Sequence, residues 1–119
     1  MATGDDIDIF RARFGKRKTY FRKLRRFDFS AHAVPRYLKI LAEYAPQIAA
    51  GDKDGSRASL ARYRRFFAEM KASPCDSEIR GFAASSDMFI ITVDPASPRA
   101  RQASFVFFFH QFLKYISVV

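Results

Sequence analysis

The sequence has no tryptophan, one cysteine, two histidines, five glycines and five prolines in 119 residues. Each scarcity removes something. With Cys75 alone, no disulfide can close within the chain, and a reducing, cytoplasmic setting is expected. The five glycines fall in no phosphate-cradling pattern, so nucleotide binding through a Gly-rich loop has no support. No HExxH, CxxC, GxSxG or paired-carboxylate motif occurs. Neither a metal centre nor a cofactor is expected, and the chain reads as a non-enzyme. His32 falls in a turn and His110 among phenylalanines, where a hydrogen-bonded structural role outweighs general-base catalysis.

Long apolar runs are missing too. The most hydrophobic stretch, ASFVFFFHQFLKYISVV, is short for a membrane span and is interrupted by His110, Gln111 and Lys114, so it reads as core. The opening MATGDDIDIF has no basic flank followed by an apolar segment, which speaks against a secretory signal, and Asp5, Asp6 and Asp8 speak against a mitochondrial transit peptide. There is no internal repeat and no low-complexity tract.

What is present is phenylalanine and localised charge. Fourteen Phe in a chain that is 49% hydrophobic argue for a packed core rather than disorder. The length suits one domain, 1–119, able to bury about two-thirds of its unfolded surface. The net charge is +9, and its distribution matters more than its size. Residues 11–27, RARFGKRKTYFRKLRRF, hold nine of the 21 Lys and Arg and none of the twelve acids, so the remainder is neutral. A concentrated excess creates a local potential that attracts polyanions.

Periodicity places this charge on a helix. Ile7, Phe10, Phe14, Phe21 and Leu24 share one face of a basic amphipathic segment over 5–27, with Gly15 as its weak point. A second helix is expected from Pro35 to about Ala50, with Tyr37, Leu38, Leu41, Ala45 and Ile48 inward and Pro46 as a kink. The loop GDKDGS lacks both the third ligand before its glycine and the closing Glu of a calcium loop, and reads as a capping loop. Residues 57–72 give the clearest helix, with Leu60, Tyr63, Phe67 and Met70 on one stripe and Arg57, Arg64 and Lys71 on another. Beyond a turn-like SPCDSE, the run MFIITVD has the β-branched, apolar character of a buried strand. Ser97 before Pro98 then opens a final helix with Phe105, Phe108, Phe109, Phe112 and Ile116 on one face, a strand being the rival reading. The expected fold is mainly α, with small α+β as an alternative. It would be a compact bundle of about four helices with one short β segment near 88–94.

The expected function is binding of nucleic acid, DNA or RNA, through the N-terminal basic helix with little sequence preference. Arg11, Lys16, Arg17, Lys18, Arg22, Lys23, Arg25 and Arg26 would contact phosphates. Arg57, Arg62, Arg64 and Arg65 would extend the surface if the third helix packs alongside. Tyr20 and Phe27, at the margin of the apolar face, are candidate stackers on unpaired bases. Six phosphate contacts would lower affinity roughly a thousandfold between about 50 and about 200 mM salt.

Other readings use the same residues. The basic face could dock on an acidic protein, as an adaptor or inhibitor does. An anionic membrane would require the apolar face to be free, which is less expected. A small ribonuclease-like toxin would draw on Arg99, Arg101, His110, Lys114 and Tyr115. An exposed Phe stripe would make a homodimer seam, and the plainest alternative is that the charge only keeps a Phe-rich chain dissolved.

Overall fold

Five helices make up the described part of the chain in a computed structural model that describes residues 17–29, 33–49, 57–74, 76–93 and 97–117. They are α1 (Arg17–Arg26), α2 (Arg36–Ala49), α3 (Arg57–Lys71), α4 (Ser77–Val93) and α5 (Pro98–Ser117). Among the described residues there is no strand. Each helix packs on the next in chain order, α5 closes the ring against α1, and α3 also touches α5 across the middle. The radius of gyration is 13.5 Å, the value of about 13.5 Å that a compact chain of this length should have.

Local signals explain the helix starts. The Pro35 carbonyl accepts hydrogen bonds from the Leu38 and Lys39 amides, so the proline sits where its missing N–H costs nothing. Asp76 caps α4: its Oδ1 accepts from the amides of Glu78 at 3.0 Å and Ile79 at 3.4 Å, and its carbonyl takes the Arg80 amide. Ser97 does the same for α5, with Oγ 3.3 Å from the Ala100 amide and Pro98 in the first turn. Helix α2 runs through Pro46 to Ala49, with the proline exposed.

The core is an aromatic stack built on α5. Phe105, Phe108, Phe109 and Phe112 are each no more than 1% exposed. Phe66 of α3 meets Phe105 and Phe108 at ring separations of 5.4 and 5.2 Å, Tyr44 of α2 meets Phe66 at 5.7 Å, and Tyr63 of α3 meets Phe105 at 6.3 Å. These edge-on and tilted arrangements set the electropositive rim of one ring against the face of another, each adding about 0.5–1.5 kcal/mol beyond area burial. Leu38, Leu41, Ala45 and Ile48 fill in from α2 as their spacing predicts, and Tyr37 lies half-buried against Phe112.

Two expectations need correcting. The segment 88–94 is not a β segment: residues 88–93 are the last turns of α4, and 94 lies outside the described residues. That extra helix also makes the bundle five helices rather than about four. The β-branched residues near 91 mimic a strand, but the packing face of α4 is Ile79, Ala83, Ser86 and Ile90, at spacings of four, three and four. Two of those four side chains are small, which hides the helical period from an apolar count. Burial against α5 outweighs the weak local β preference. Ser104 Oγ donates to the Ser86 carbonyl, a bond that forms only where two backbones approach closely, and Ser86 Oγ donates to the Phe82 carbonyl at 2.7 Å. The final aromatic segment is a helix, not the rival strand. The expected stretch 5–16 of the first helix, Cys75 and the loop GDKDGS lie outside the described residues.

Candidate nucleic-acid interface

Helix α1, RKTYFRKLRR, contains six cations and no acid. Leu24 is 2% exposed and anchors it, while Phe21 stacks on Phe105 at 6.3 Å with the rings 6° from parallel. On the other side Arg22, Lys23, Arg25 and Arg26 are exposed. At about 100° per residue these four spread over an arc of about 160° whose centre lies opposite Leu24. Along the axis they occupy about 6 Å. The amphipathic pattern therefore separates anchor from charge as the spacing requires.

Not all four are equally available. Arg25 Nη2 donates to the carbonyl of Ala49, the last residue of α2, at 2.7 Å. Helix C-termini carry unpaired carbonyls and the negative end of the dipole, and a guanidinium there satisfies both. Arg25 also lines a mostly apolar cleft of about 340 Å³ with Leu24, Phe29, Ala45, Pro46 and Ala49. Lys23 Nζ lies 5.6 Å from the centre of the Tyr20 ring, within cation–π range.

The two candidate stacking rings have partners within the bundle. Tyr20 is half-buried, its hydroxyl 2.9 Å from His110 Nδ1 and its ring edge-on to the imidazole at 5.3 Å. Phe27 is half-buried with edge contacts to Phe29 at 4.8 Å, Phe112 at 6.0 Å and Phe109 at 6.4 Å.

The other nominated residues are scattered. Arg11 and Lys16 lie outside the described residues, Arg17 and Lys18 form the first turn of α1, and Arg57 opens α3. Arg64 and Arg65 are exposed on α3 and Arg62 is half-buried. Helix α3 packs on α2, α4 and α5, and shares no extensive contact with α1; α2 lies between them. Arg65 stands near Tyr44, where its charge works against the upward shift that burial and the Glu69 hydrogen bond impose on that phenol. The Tyr44 hydroxyl donates to Glu69 Oε1 at 3.1 Å, tying α2 to α3. Lys71, at the end of α3, bonds Asp87 Oδ2 of α4 at 2.5 Å.

The residues named for ribonuclease chemistry are strung along α5. Arg99 and Lys114 are exposed, Arg101 is 1% exposed, His110 faces Tyr20, and the Tyr115 hydroxyl donates to Asp76 Oδ2. From Arg99 to Tyr115 is about 24 Å of helix, whereas acid–base groups must stand within hydrogen-bond reach of one reacting centre. Bonding to Asp76, with some burial, pushes the Tyr115 phenol up to about 12. Among the described residues no three His, Cys, Asp or Glu side chains gather as metal ligands, and no helix is long and apolar enough to cross a membrane.

Sequence reasoning missed the capping role of Arg25 and the double role of Asp76. For Asp76 a signal existed: an Asp ahead of Ser77 and Glu78 is an N-cap pattern. Nothing local announces that Arg25 reaches a carbonyl 24 residues away. No protein-family model matches this chain, and neither the curated proteins nor the solved structures contain a match.

Proposed function

We propose that this protein binds a polyanion, nucleic acid first, through the outward face of α1, without catalysis and with little sequence preference. One observation carries the reading: an acid-free helix presents Arg22, Lys23, Arg25 and Arg26 to solvent while its opposite side is locked into the aromatic core. Phosphate backbones are recognised by such a row of cations, each contact releasing counterions. Lys16 and Arg11 precede the helix in sequence and extend the charge on the same segment. The single cysteine suits a reducing, cytoplasmic setting.

The packing of α1 favours this reading over its rivals. A membrane-surface helix must dip its apolar side into the lipid interface, but Leu24 and Phe21 are engaged with the bundle. A protein partner would draw most of its binding energy from Trp, Tyr and Arg anchors seated in desolvated pockets, and the outward arc of α1 sets no aromatic side chain beside its arginines.

Four phosphate contacts give a log–log salt slope of about −3.6 and a fall in affinity of roughly a hundredfold between about 50 and about 200 mM salt. Reversing Lys16, Arg22, Lys23 and Arg26 to Glu abolishes binding of labelled oligonucleotides and leaves the helical circular dichroism intact. Unchanged affinity in that variant would remove the site from α1. Complete loss of oligonucleotide binding to a small excess of heparin at moderate salt would instead mark the face as one for polyanions at large.

A further inference from the structure

We infer that the nucleic acid bound by α1 is double-stranded DNA rather than a single strand; this rests on the reading of α1 above. Sequence-tolerant single-strand binders gain about 1–3 kcal/mol per base by stacking bases on exposed aromatic rings. Helix α1 has two aromatic residues, Tyr20 and Phe21, and Phe27 follows it at once. All three turn toward the bundle. Tyr20 is held edge-on against His110 at 5.3 Å, Phe21 is stacked on Phe105, and Phe27 is wedged against Phe29, Phe109 and Phe112. Among the described residues the large apolar side chains that stand exposed are Val34 at 46% and Met88 at 55%, and neither has a ring. Among the described residues the face therefore offers charge without a stacking platform.

A surface that reads charge alone discriminates by charge density. A duplex carries a phosphate per about 1.7 Å of axis, twice the density of one strand. The arc of cations has the matching shape. Arg25 and Lys23 mark its two edges, about 160° apart, with Arg22 and Arg26 between them. A helix with side chains is about 10–12 Å across, close to the roughly 12 Å width of the B-DNA major groove. Cations at both edges of the arc can then meet phosphate rows on both strands, with Arg25 turning its guanidinium from the Ala49 carbonyl to do so and Arg22 and Arg26 contributing without that exchange. A lone strand offers one row and leaves one edge of the arc idle. Leu24 and Phe21 hold the helix in place before any ligand arrives, so little ordering cost offsets the contacts.

The test uses the full chain and two labelled probes of equal length, a mixed-sequence DNA duplex and an oligo-dT strand that cannot pair with itself, titrated by fluorescence anisotropy near physiological salt. The duplex should bind tighter by on the order of tenfold, and Arg22→Ala should flatten its log–log salt slope by about one. Equal or tighter binding of oligo-dT overturns the duplex assignment while leaving the α1 reading standing. Binding of neither probe, even at low salt, overturns both. An unchanged duplex slope in Arg22→Ala places the contacts elsewhere on the chain and also overturns the assignment.

Discussion

Helices α1 and α5 share an unusual property: both carry only positive charge. They use it in opposite ways. Helix α1 has six cations in ten residues and, among its described side chains, one that is fully buried, Leu24. Helix α5 has three cations in twenty residues and, among its described side chains, buries nine, Arg101 included. On α5 the aromatic face sets the fold and its charges are dispersed along the axis; on α1 a minimal anchor holds a broad charged face outward. Composition alone does not distinguish a binding face from a structural helix. The proposed reading of α1 rests instead on its few buried anchors set against its exposed cations.

The sharpest break of this comparison is on the α5 side. Phe108 is fully buried against Phe66, Phe67 and Phe112. Phe108→Ala should cost about 3–5 kcal/mol, a large share of the stability of a domain this size, read as a collapse of the urea midpoint. A variant with an unchanged midpoint would mean that the stack on α5 is not what holds the bundle.

Arg25 blurs the comparison, because it is a cation of α1 with a structural bond. Arg25→Ala removes the guanidinium from the Ala49 carbonyl and should cost about 1 kcal/mol, a lowering of the melting midpoint by a few degrees. Arg22→Ala, at a side chain that makes no such bond among the described residues, should leave the midpoint unmoved and weaken duplex binding more than Arg25→Ala does. The reverse ranking would make Arg25 the main phosphate ligand and Arg22 a bystander.

The smallest effect concerns the far end of α5. Tyr115 is pushed up from 10.0 to about 12 by its bond to Asp76. The unfolded phenol therefore ionises first, so this contribution is complete below pH about 10 and fades as pH rises toward about 12. Wild type should lose more stability than Tyr115→Phe across that window, and parallel losses would detach Tyr115 from the effect. Tyr44, raised chiefly by burial, adds alkaline sensitivity of the same sign to both proteins, which their difference removes.

Much of this architecture is legible in the residue order, and the gaps have identifiable causes. The helices at α2, α3 and α5 follow from apolar residues at helical spacing, and the Ser97–Pro98 and Pro35 starts from local backbone chemistry. Helix α4 was hidden because its buried positions include Ala83 and Ser86, while its end is rich in β-branched residues. The opposition of Leu24 and the α1 cations is visible from the 100° rule, since both lie within one short segment. The fate of Tyr20 is not. Its partner His110 stands 90 residues away, and only the closure of α5 on α1 brings the two rings together. Phe27, too, lies at the margin of its helix by sequence and finds its surroundings only through Phe109 and Phe112.

The central claim is that the charge of Arg22, Lys23 and Arg26 on α1 serves binding and not folding. The direct test is to measure duplex affinity and melting midpoint together for Arg22→Glu/Lys23→Glu/Arg26→Glu. The account predicts loss of at least a hundredfold in affinity with a midpoint within about 4 °C of wild type, as for exposed surface substitutions. Retained affinity would contradict it, and so would a midpoint that collapses along with the binding, because the charges would then belong to the fold.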